Sequence, residues 1–286
     1  MTINRLDEES GFGITDIIEF ARRNAAVLAA TTLTGGILSV GIAMTIPKEW
    51  SATVVLQVGQ IYSGPTGQNG VTYIEPPPRA LERVKLGSFE NAVLTQLGLP
   101  LATDVNKETD IIRGSARAML IRNADLISIT VRGFSDARAK QYAEAYEREL
   151  INEHALLAKA SIGRLASDLQ EVSTALNTEL ARRAELDKIA KSSLAQAGAG
   201  RFSESVLLSE LISRNDAEIR TLRLRKSALQ EQLNPELTFN TRALGDVDVS
   251  RKPIYPQKSV FGLLGVMAGL IVGVLLGAWR EKKHLA

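Results

Sequence analysis

The sequence contains no cysteine, few aromatic residues and almost no excess of charge of either sign. The absence of cysteine excludes a disulfide framework, thiol catalysis, and zinc or iron–sulfur centres held by cysteine. Basic and acidic side chains number 34 and 32, which gives no support to nucleic-acid binding because that function usually needs a basic face. Aromatic residues are only 5% of the chain, so we expect a small globular core.

Catalytic motifs are missing as well. The chain has no G-x-x-x-x-G-K-[ST], G-x-S-x-G or H-E-x-x-H pattern. Its two histidines, His154 and His284, belong to no metal-ligand cluster, and we expect His154 to be an exposed residue of a helix. Carboxylates such as Glu147 and Glu171 are spaced as on solvated helix faces. The sequence therefore predicts a protein that is not an enzyme and that has no cofactor and no metal site.

Two uncharged apolar runs lie near the ends of the chain, at residues 25–46 and 260–279. Each has the length that crosses a hydrocarbon core roughly 30 Å thick at ~1.5 Å per helical residue. A cleaved signal peptide is the alternative for the first run, but the run is too long for an h-region and no A-x-A-like site follows it. The sequence therefore predicts two transmembrane helices.

An even number of spans places residues 1–24 and 280–286 on the same side of the membrane. Basic residues beside the spans number five on that side and four on the other: Arg22, Arg23, Arg280, Lys282 and Lys283 against Lys48, Arg251, Lys252 and Lys258. The positive-inside rule thus favours cytoplasmic termini and a main domain outside the cytoplasm by a small margin. The long segment between the spans has no N-x-[ST] sequon, which agrees with a bacterial source.

The segments nearest the two spans have strand character. Residues 50–58 alternate apolar and polar positions, residues 126–132 form a second strand pattern, and residues 236–250 resemble an extended return segment. Residues 60–78 are rich in glycine and proline and predict a loop. Residues 111–121 fit a strand or a helix. We expect residues 47–135 and 235–259 to build one α/β base beside the membrane.

Between these parts, residues 136–234 have the composition of a long helical hairpin. Residues 136–196 would extend ~90 Å if fully helical, and Gly198 and Gly200 break the helix. The return helix has a heptad-like seam of apolar residues, formed by Leu208, Ile212, Ile219, Leu222 and Leu229. Asn215 and Lys226 interrupt this seam, either to fix its register or because the stripe faces water there. Since the return helix is shorter, we expect the far part of the long helix to contact neighbouring copies of the chain.

The second span carries glycine at every fourth position. Gly265, Gly269, Gly273 and Gly277 follow Gly262 and predict a small-residue groove that lets another helix approach to backbone distance. Pro253 and Pro256 stand directly before the span, where they rigidify the chain as it enters the membrane.

This order of elements resembles the Wzz-type chain-length determinants, the polysaccharide co-polymerases of bacterial inner membranes. The resemblance rests on the first span, the Trp50-Ser-Ala52 strand start, the strand that runs into Ser135-Asp-Ala137, and the Pro253-x-x-Pro256 and glycine series. It implies an α+β membrane protein: two transmembrane helices flanking a periplasmic base, with an antiparallel helical stalk. It also implies a homo-oligomer that regulates the length of a lipid-linked O-antigen, capsule or exopolysaccharide beside a Wzy-type polymerase, without catalytic residues of its own.

Two other functions are compatible with parts of the sequence. The short tail at residues 280–286 is a candidate activator of a separately encoded tyrosine kinase in polysaccharide export, because related co-polymerases carry a kinase domain after the second span. A periplasmic adaptor of an efflux pump also uses a helical hairpin, but it usually has more strands and not this two-span layout.

Overall fold

The computed structural model describes residues 14–64, 70–121, 124–195 and 202–285, and it divides into two compact units. The first, here called the membrane unit, comprises the chain up to Ser51, Phe134–Asp136 and the chain from Ser250 onwards. The second, the α/β unit, comprises Ala52–Gly133 and Ala137–Val249. The predicted break at Gly198 and Gly200 and the centre of the predicted loop at 60–78 lie outside the described residues, as does most of residues 1–24. The described ends of that segment are not loop as expected, because Gln60–Tyr62 pairs with Val71–Tyr73 as two short strands and a helix begins at Pro77.

The membrane unit consists mainly of helices α1 (Ile14–Arg23), α2 (Ala25–Thr45) and α8 (Lys258–Leu285). Both α2 and α8 are long and apolar enough to cross a membrane. They run antiparallel, since Gly35 faces Gly265 and Gly269 while Thr31 faces Gly273. Helix α8 continues beyond the apolar run at 260–279 because Arg280, Glu281 and Lys282 are good helix formers.

The α/β unit contains seven strands and five helices among its described residues. The strands are β1 (Trp50–Gln57, which begins in the membrane unit), β2 (Gln60–Tyr62), β3 (Val71–Tyr73), β4 (Arg117–Leu120), β5 (Leu126–Gly133), β6 (Arg242–Ala243) and β7 (Asp248–Val249). The helices are α3 (Pro77–Val84), α4 (Gly87–Gln96), α5 (Lys107–Ser115), α6 (Asp136–Ala195) and α7 (Phe202–Gln232). The predicted α+β class, with two candidate membrane-spanning helices at the ends, a long helix and some sheet, is confirmed.

One sheet in the order β4-β5-β1-β6 forms the base of the α/β unit, and β7 also pairs with β1. The alternation predicted for β1 is present: Ala52, Val54 and Leu56 are buried. Strand β5 buries Ile127, Ile129 and Val131 in the same way. The return segment pairs antiparallel with β1, joining Ala52 to Val249 and Leu56 to Ala243. The ambiguous stretch at 111–121 contains both structures, because α5 ends at Ser115 and β4 begins at Arg117.

Helices α6 and α7 form the hairpin, with 60 and 31 residues. The first part of α6 is buried at Ala139, Tyr142, Ala143, Tyr146 and Leu150. The later part packs on α7: Asn215 Nδ2 donates to Glu179 Oε2 (2.6 Å), and Arg183 pairs with Asp216 (2.7 Å). The expectation that the far part of α6 lacks a partner within the chain is wrong. Because α7 follows α6 along the chain and runs antiparallel to it, α7 packs against the C-terminal half of α6.

The predicted seam of α7 faces inward. Ile219 and Leu229 are buried, while Leu208, Ile212 and Leu222 are half-buried. Asn215 is only 5% exposed and binds Glu179, so of the two alternatives the contact favours a role in fixing register. Lys226 is half-buried.

Candidate functional site: the membrane helix pair and the buried histidine network

The glycine series of α8 lies against α2 with almost no room for side chains. A Cβ built at Gly265 would lie 2.5 Å from the carbonyl oxygen of Gly35, and one at Gly269 would overlap the carbonyl oxygen of Thr31. Because these obstructing atoms belong to the backbone, they cannot rotate away. A Cβ at Gly273 would overlap the Thr31 hydroxyl group. The two helices therefore approach to backbone distance along this face.

The five glycines singled out in the sequence are not equivalent. A Cβ at Gly277 would lie 3.0 Å from Phe20 Cζ, which is a tight contact with a side chain. At Gly262 the nearest atom, Val40 Cγ2, lies 3.5 Å away, which is ordinary van der Waals contact. Gly262 therefore has room for a methyl group, whereas the glycines from 265 to 273 do not.

Polar side chains bind across the helix pair near both of its ends. Ser39 Oγ donates a hydrogen bond to the carbonyl oxygen of Phe261. Towards the other end the buried Asn24 donates from Nδ2 to Phe20 O and to Glu281 Oε1, both at 3.2 Å. The Ser39–Phe261 bond lies within both apolar runs, where an unsatisfied polar group is costly, so it holds the two helices together and fixes their register. The Asn24–Glu281 bond lies just outside both runs.

Pro253 and Pro256 lie before α8 in an irregular segment that is hydrogen-bonded to Glu49, between α2 and β1. The backbone N–H of Glu49 donates to Tyr255 O (3.0 Å), and the N–H of Ile254 donates to Glu49 O (2.8 Å). Tyr255 also packs edge-on against Phe261, with ring centroids 6.1 Å apart. The two prolines thus flank a stretch of backbone, Ile254–Tyr255, that is held by Glu49.

In the α/β unit, His154 is fully buried, contrary to the expectation that it is exposed. Its Nε2 lies 3.3 Å from Glu75 Oε2, and its Nδ1 is hydrogen-bonded to Thr241 Oγ1. Thr241 Oγ1 also accepts the backbone N–H of Gly59 at 2.9 Å, which leaves its own proton for Nδ1. The neutral imidazole with its proton on Nε2 satisfies all of these bonds. The expectation fails because the partners of His154 are distant in sequence.

Glu75 is the charged centre of this histidine network. Arg83 donates to both carboxylate oxygens of Glu75 at 2.8 Å and to Glu153 Oε2 at 3.2 Å. The guanidinium of Arg83 lowers the pKa of Glu75 despite the opposing effect of burial. Burial lowers the pKa of His154 more than the nearby Glu75 raises it. The stable arrangement is therefore a carboxylate paired with arginine beside a neutral histidine.

The histidine network joins three parts of the α/β unit. His154 belongs to α6, Glu75 lies between β3 and α3, and Thr241 lies just before β6 on the return segment. Asn240 adds a hydrogen bond from Nδ2 to the carbonyl oxygen of Ile151 at 3.0 Å. The histidine network therefore ties α6 to the return segment and to the segment before α3 through buried hydrogen bonds.

The sequence matches no protein-family model and no curated protein sequence. Among solved structures, the chain is similar to a full-length bacterial polysaccharide co-polymerase, with 12% identity and a TM-score of 0.45 over 95% of this chain and 98% of that one. It is also similar to the lipopolysaccharide O-antigen chain-length regulator of Shigella flexneri. A mutant and the wild type give 11% identity, with TM-scores of 0.22 and 0.23, over 73% of this chain and all of theirs.

Sequence reasoning missed two features of these sites. The close approach to α8 depends on Gly35 as much as on the α8 glycines, and the Gly35-Gly36 pair within the first apolar run was an available signal. The histidine network had no local signal, since His154 is 79 residues from Glu75 and 87 from Thr241.

Proposed function

We propose that this protein is a non-catalytic regulator of bacterial surface polysaccharide chain length, acting as an oligomeric inner-membrane scaffold beside a Wzy-type polymerase. The observation that carries the proposal is the order of the elements: the candidate spans α2 and α8 pack closely together, and the chain between them forms a sheet and a 60-residue helix. The order and motifs of these elements are those on which the Wzz resemblance rests. A scaffold of this kind acts through binding surfaces and needs no catalytic residues.

Exposed apolar residues on the hairpin support assembly into a homo-oligomer. Leu156 and Leu157 on α6, and Leu207, Leu211 and Leu224 on α7, lie outside the seam and are exposed. Leucines in such number on the outer faces of water-exposed helices are typical of contact surfaces. Copies of the chain arranged side by side would cover them.

The topology proposed with this function has both termini in the cytoplasm and the α/β unit in the periplasm. The five-to-four distribution of basic residues supports this orientation only weakly, so it needs its own test. A reporter enzyme active only in the periplasm, fused within residues 65–69, should be active, whereas fusions at either terminus should be inactive. The reverse result would refute the orientation.

Gene deletion tests the function directly. Deletion should change the length distribution of surface polysaccharide on a gel, and the wild-type gene supplied on a plasmid should restore it. A Gly269→Leu/Gly273→Leu variant should fail to restore it, while Gly41→Leu should succeed, because a Cβ at Gly41 meets no atom within 4 Å. An unchanged ladder after deletion, in a strain that expresses the protein, would refute chain-length control.

A further inference from the structure

A cavity of about 690 Å³ lies where the end of α2 meets the segment before α8, wholly within the membrane unit. It is here called the lysine pocket. Its walls combine apolar groups with three lysines, and its principal lining residues are Ala43, Met44, Tyr255, Lys48, Lys252 and Lys258.

The lysine pocket has an excess of positive charge. Among the residues that the structure describes, no carboxylate forms an ion pair with Lys48, Lys252 or Lys258. Residues 47–51 and 250–259 together carry four basic side chains and a single acidic one, Glu49. In the proposed orientation these bases lie on the side of the membrane where the positive-inside rule disfavours them. A binding function explains why they gather there.

The backbone around the lysine pocket is fixed before any ligand arrives. The paired hydrogen bonds between Glu49 and the Ile254–Tyr255 segment tie the two chain segments together. The ring of Tyr255 is held against Phe261. A ligand therefore meets a formed cavity and has to order only the lysine side chains, which lowers the cost of binding.

The position of the lysine pocket selects among anions. It lies at the ends of two apolar helices, where a bilayer would present its headgroups. Free phosphate would pair with the ammonium groups and leave the apolar surface of Met44 and Tyr255 in contact with water. A phosphate attached to a lipid would satisfy both surfaces, because its chain covers the apolar wall while the phosphate meets the lysines.

We propose that the lysine pocket binds the phosphate group of a membrane lipid, through Lys48, Lys252 and Lys258. The proposal rests on the two helices spanning a bilayer, as proposed above, and does not depend on chain-length control. Each basic residue near a membrane surface contributes roughly a factor of five to the affinity for an anionic lipid.

Native mass spectrometry of the full chain in neutral detergent, titrated with dioleoyl phosphatidic acid, tests the proposal. The Lys48→Gln/Lys252→Gln/Lys258→Gln variant should bind on the order of 100-fold more weakly than the wild type. Replacing the same lysines by arginine should preserve binding, since the charge is kept. The matched control is Lys282→Gln, which removes a basic residue at the opposite end of α8 and should leave binding unchanged.

Competition with inorganic phosphate distinguishes the two sources of the anion. The lipid should remain bound at phosphate concentrations that far exceed its own. If the triple glutamine variant binds the lipid with wild-type affinity, the lysine pocket is not the binding site. If equimolar phosphate displaces the lipid, the ligand is not specifically a lipid phosphate. The polysaccharide ladder of the deletion strain is a separate readout, so failure of the lysine pocket and failure of chain-length control can be told apart.

Discussion

The membrane helix pair and the helical hairpin both pack two antiparallel helices, yet they do so with different side chains. Helices α2 and α8 meet at glycines, where a carbonyl oxygen of one helix occupies the position that a Cβ atom of the other helix would take. Helices α6 and α7 meet along leucine and isoleucine, with Arg183 and Asp216 paired at the edge. The difference shows how the surrounding solvent selects the packing chemistry.

In water, burying leucine is favourable because apolar surface leaves the solvent. In a bilayer that gain is absent, since the lipid tails are as apolar as leucine, and close van der Waals contact and interhelical hydrogen bonds remain. Both pairs contain one buried asparagine that binds the partner helix: Asn24 binds Glu281, and Asn215 binds Glu179. A hydrogen-bonded amide thus joins the helices of both pairs, while the apolar contacts differ.

The largest expected effect comes from filling the glycine groove. Gly269→Leu/Gly273→Leu should separate α2 from α8, because overpacking costs about 1–3 kcal/mol at each position and the backbone of Thr31 and Thr32 cannot withdraw. Since the chain has no cysteine, Val40→Cys with Gly262→Cys provides a single cross-link across the pair. The cross-link should form in the otherwise wild-type chain and be lost in the double-leucine variant.

Gly41→Leu is the matched control for the cross-linking experiment. It introduces the same side chain at a glycine of α2 that faces open space. The cross-link should persist in this variant. Equal cross-linking in both leucine variants would show that the helix pair does not depend on the glycine contacts.

A cavity in the hairpin seam should have the next largest effect. Ile219→Ala should lower the free energy of unfolding of the hairpin by about 2–5 kcal/mol, because Ile219 is 4% exposed. Ser213→Ala, at an exposed position of the same helix, should change it by less than about 0.5 kcal/mol. Thermal unfolding followed by circular dichroism measures both. Similar losses for the two variants would show that burial of Ile219 in the seam does not account for its effect.

Removing the buried amide of the hairpin should have a smaller effect. Asn215→Ala should cost about 1–3 kcal/mol, since it leaves the backbone and carboxylate oxygens of Glu179 without their donor. Asn215→Leu should recover much of that stability while weakening the register of the seam. Cross-linking between cysteines placed on α6 and α7 reports the register. A single register in the leucine variant would show that the apolar seam alone specifies it.

The smallest expected effect is a dependence of stability on pH, which involves the histidine network and neither helix pair. Because burial lowers the pKa of His154 below its ordinary value of 6.5, the unfolded chain binds the proton more readily than the folded chain. The stabilisation is complete above that value and is lost as the pH falls through the folded pKa. As the pH falls below about 6.5, the α/β unit should therefore become less stable.

Melting temperatures across this pH range provide the measurement, and His154→Gln should flatten the slope. The lowered pKa of Glu75 changes the stability only at more acidic pH, below its ordinary value of 4.5, so it does not contribute to the slope measured here. An identical slope in the glutamine variant would assign the pH dependence to other groups.

Local patterns predicted the elements of this fold well. The alternation from Ala52 to Val58 corresponds to a strand, and the apolar runs near the ends of the chain correspond to helices. Both were predictable because an alternation with period two and the length of an apolar run depend only on neighbouring residues. The partners of α6 were predicted less well. Its far half was expected to need other copies of the chain, yet α7 covers it, because helix lengths alone do not state where a returning helix starts.

The sequence by itself determined the two candidate spans, the long helix and the spacing of the α8 glycines, since each depends on short-range periodicity and composition. Only the tertiary structure decided that Gly35 packs against Gly265 and that Gly262 keeps room for a methyl group. It likewise decided that His154 lies buried between Glu75 and Thr241. It also gathered three lysines from segments some 200 residues apart at the end of α2 and the start of α8. The physical reason is that close approach and burial depend on which distant segments meet, and no local repeat encodes that.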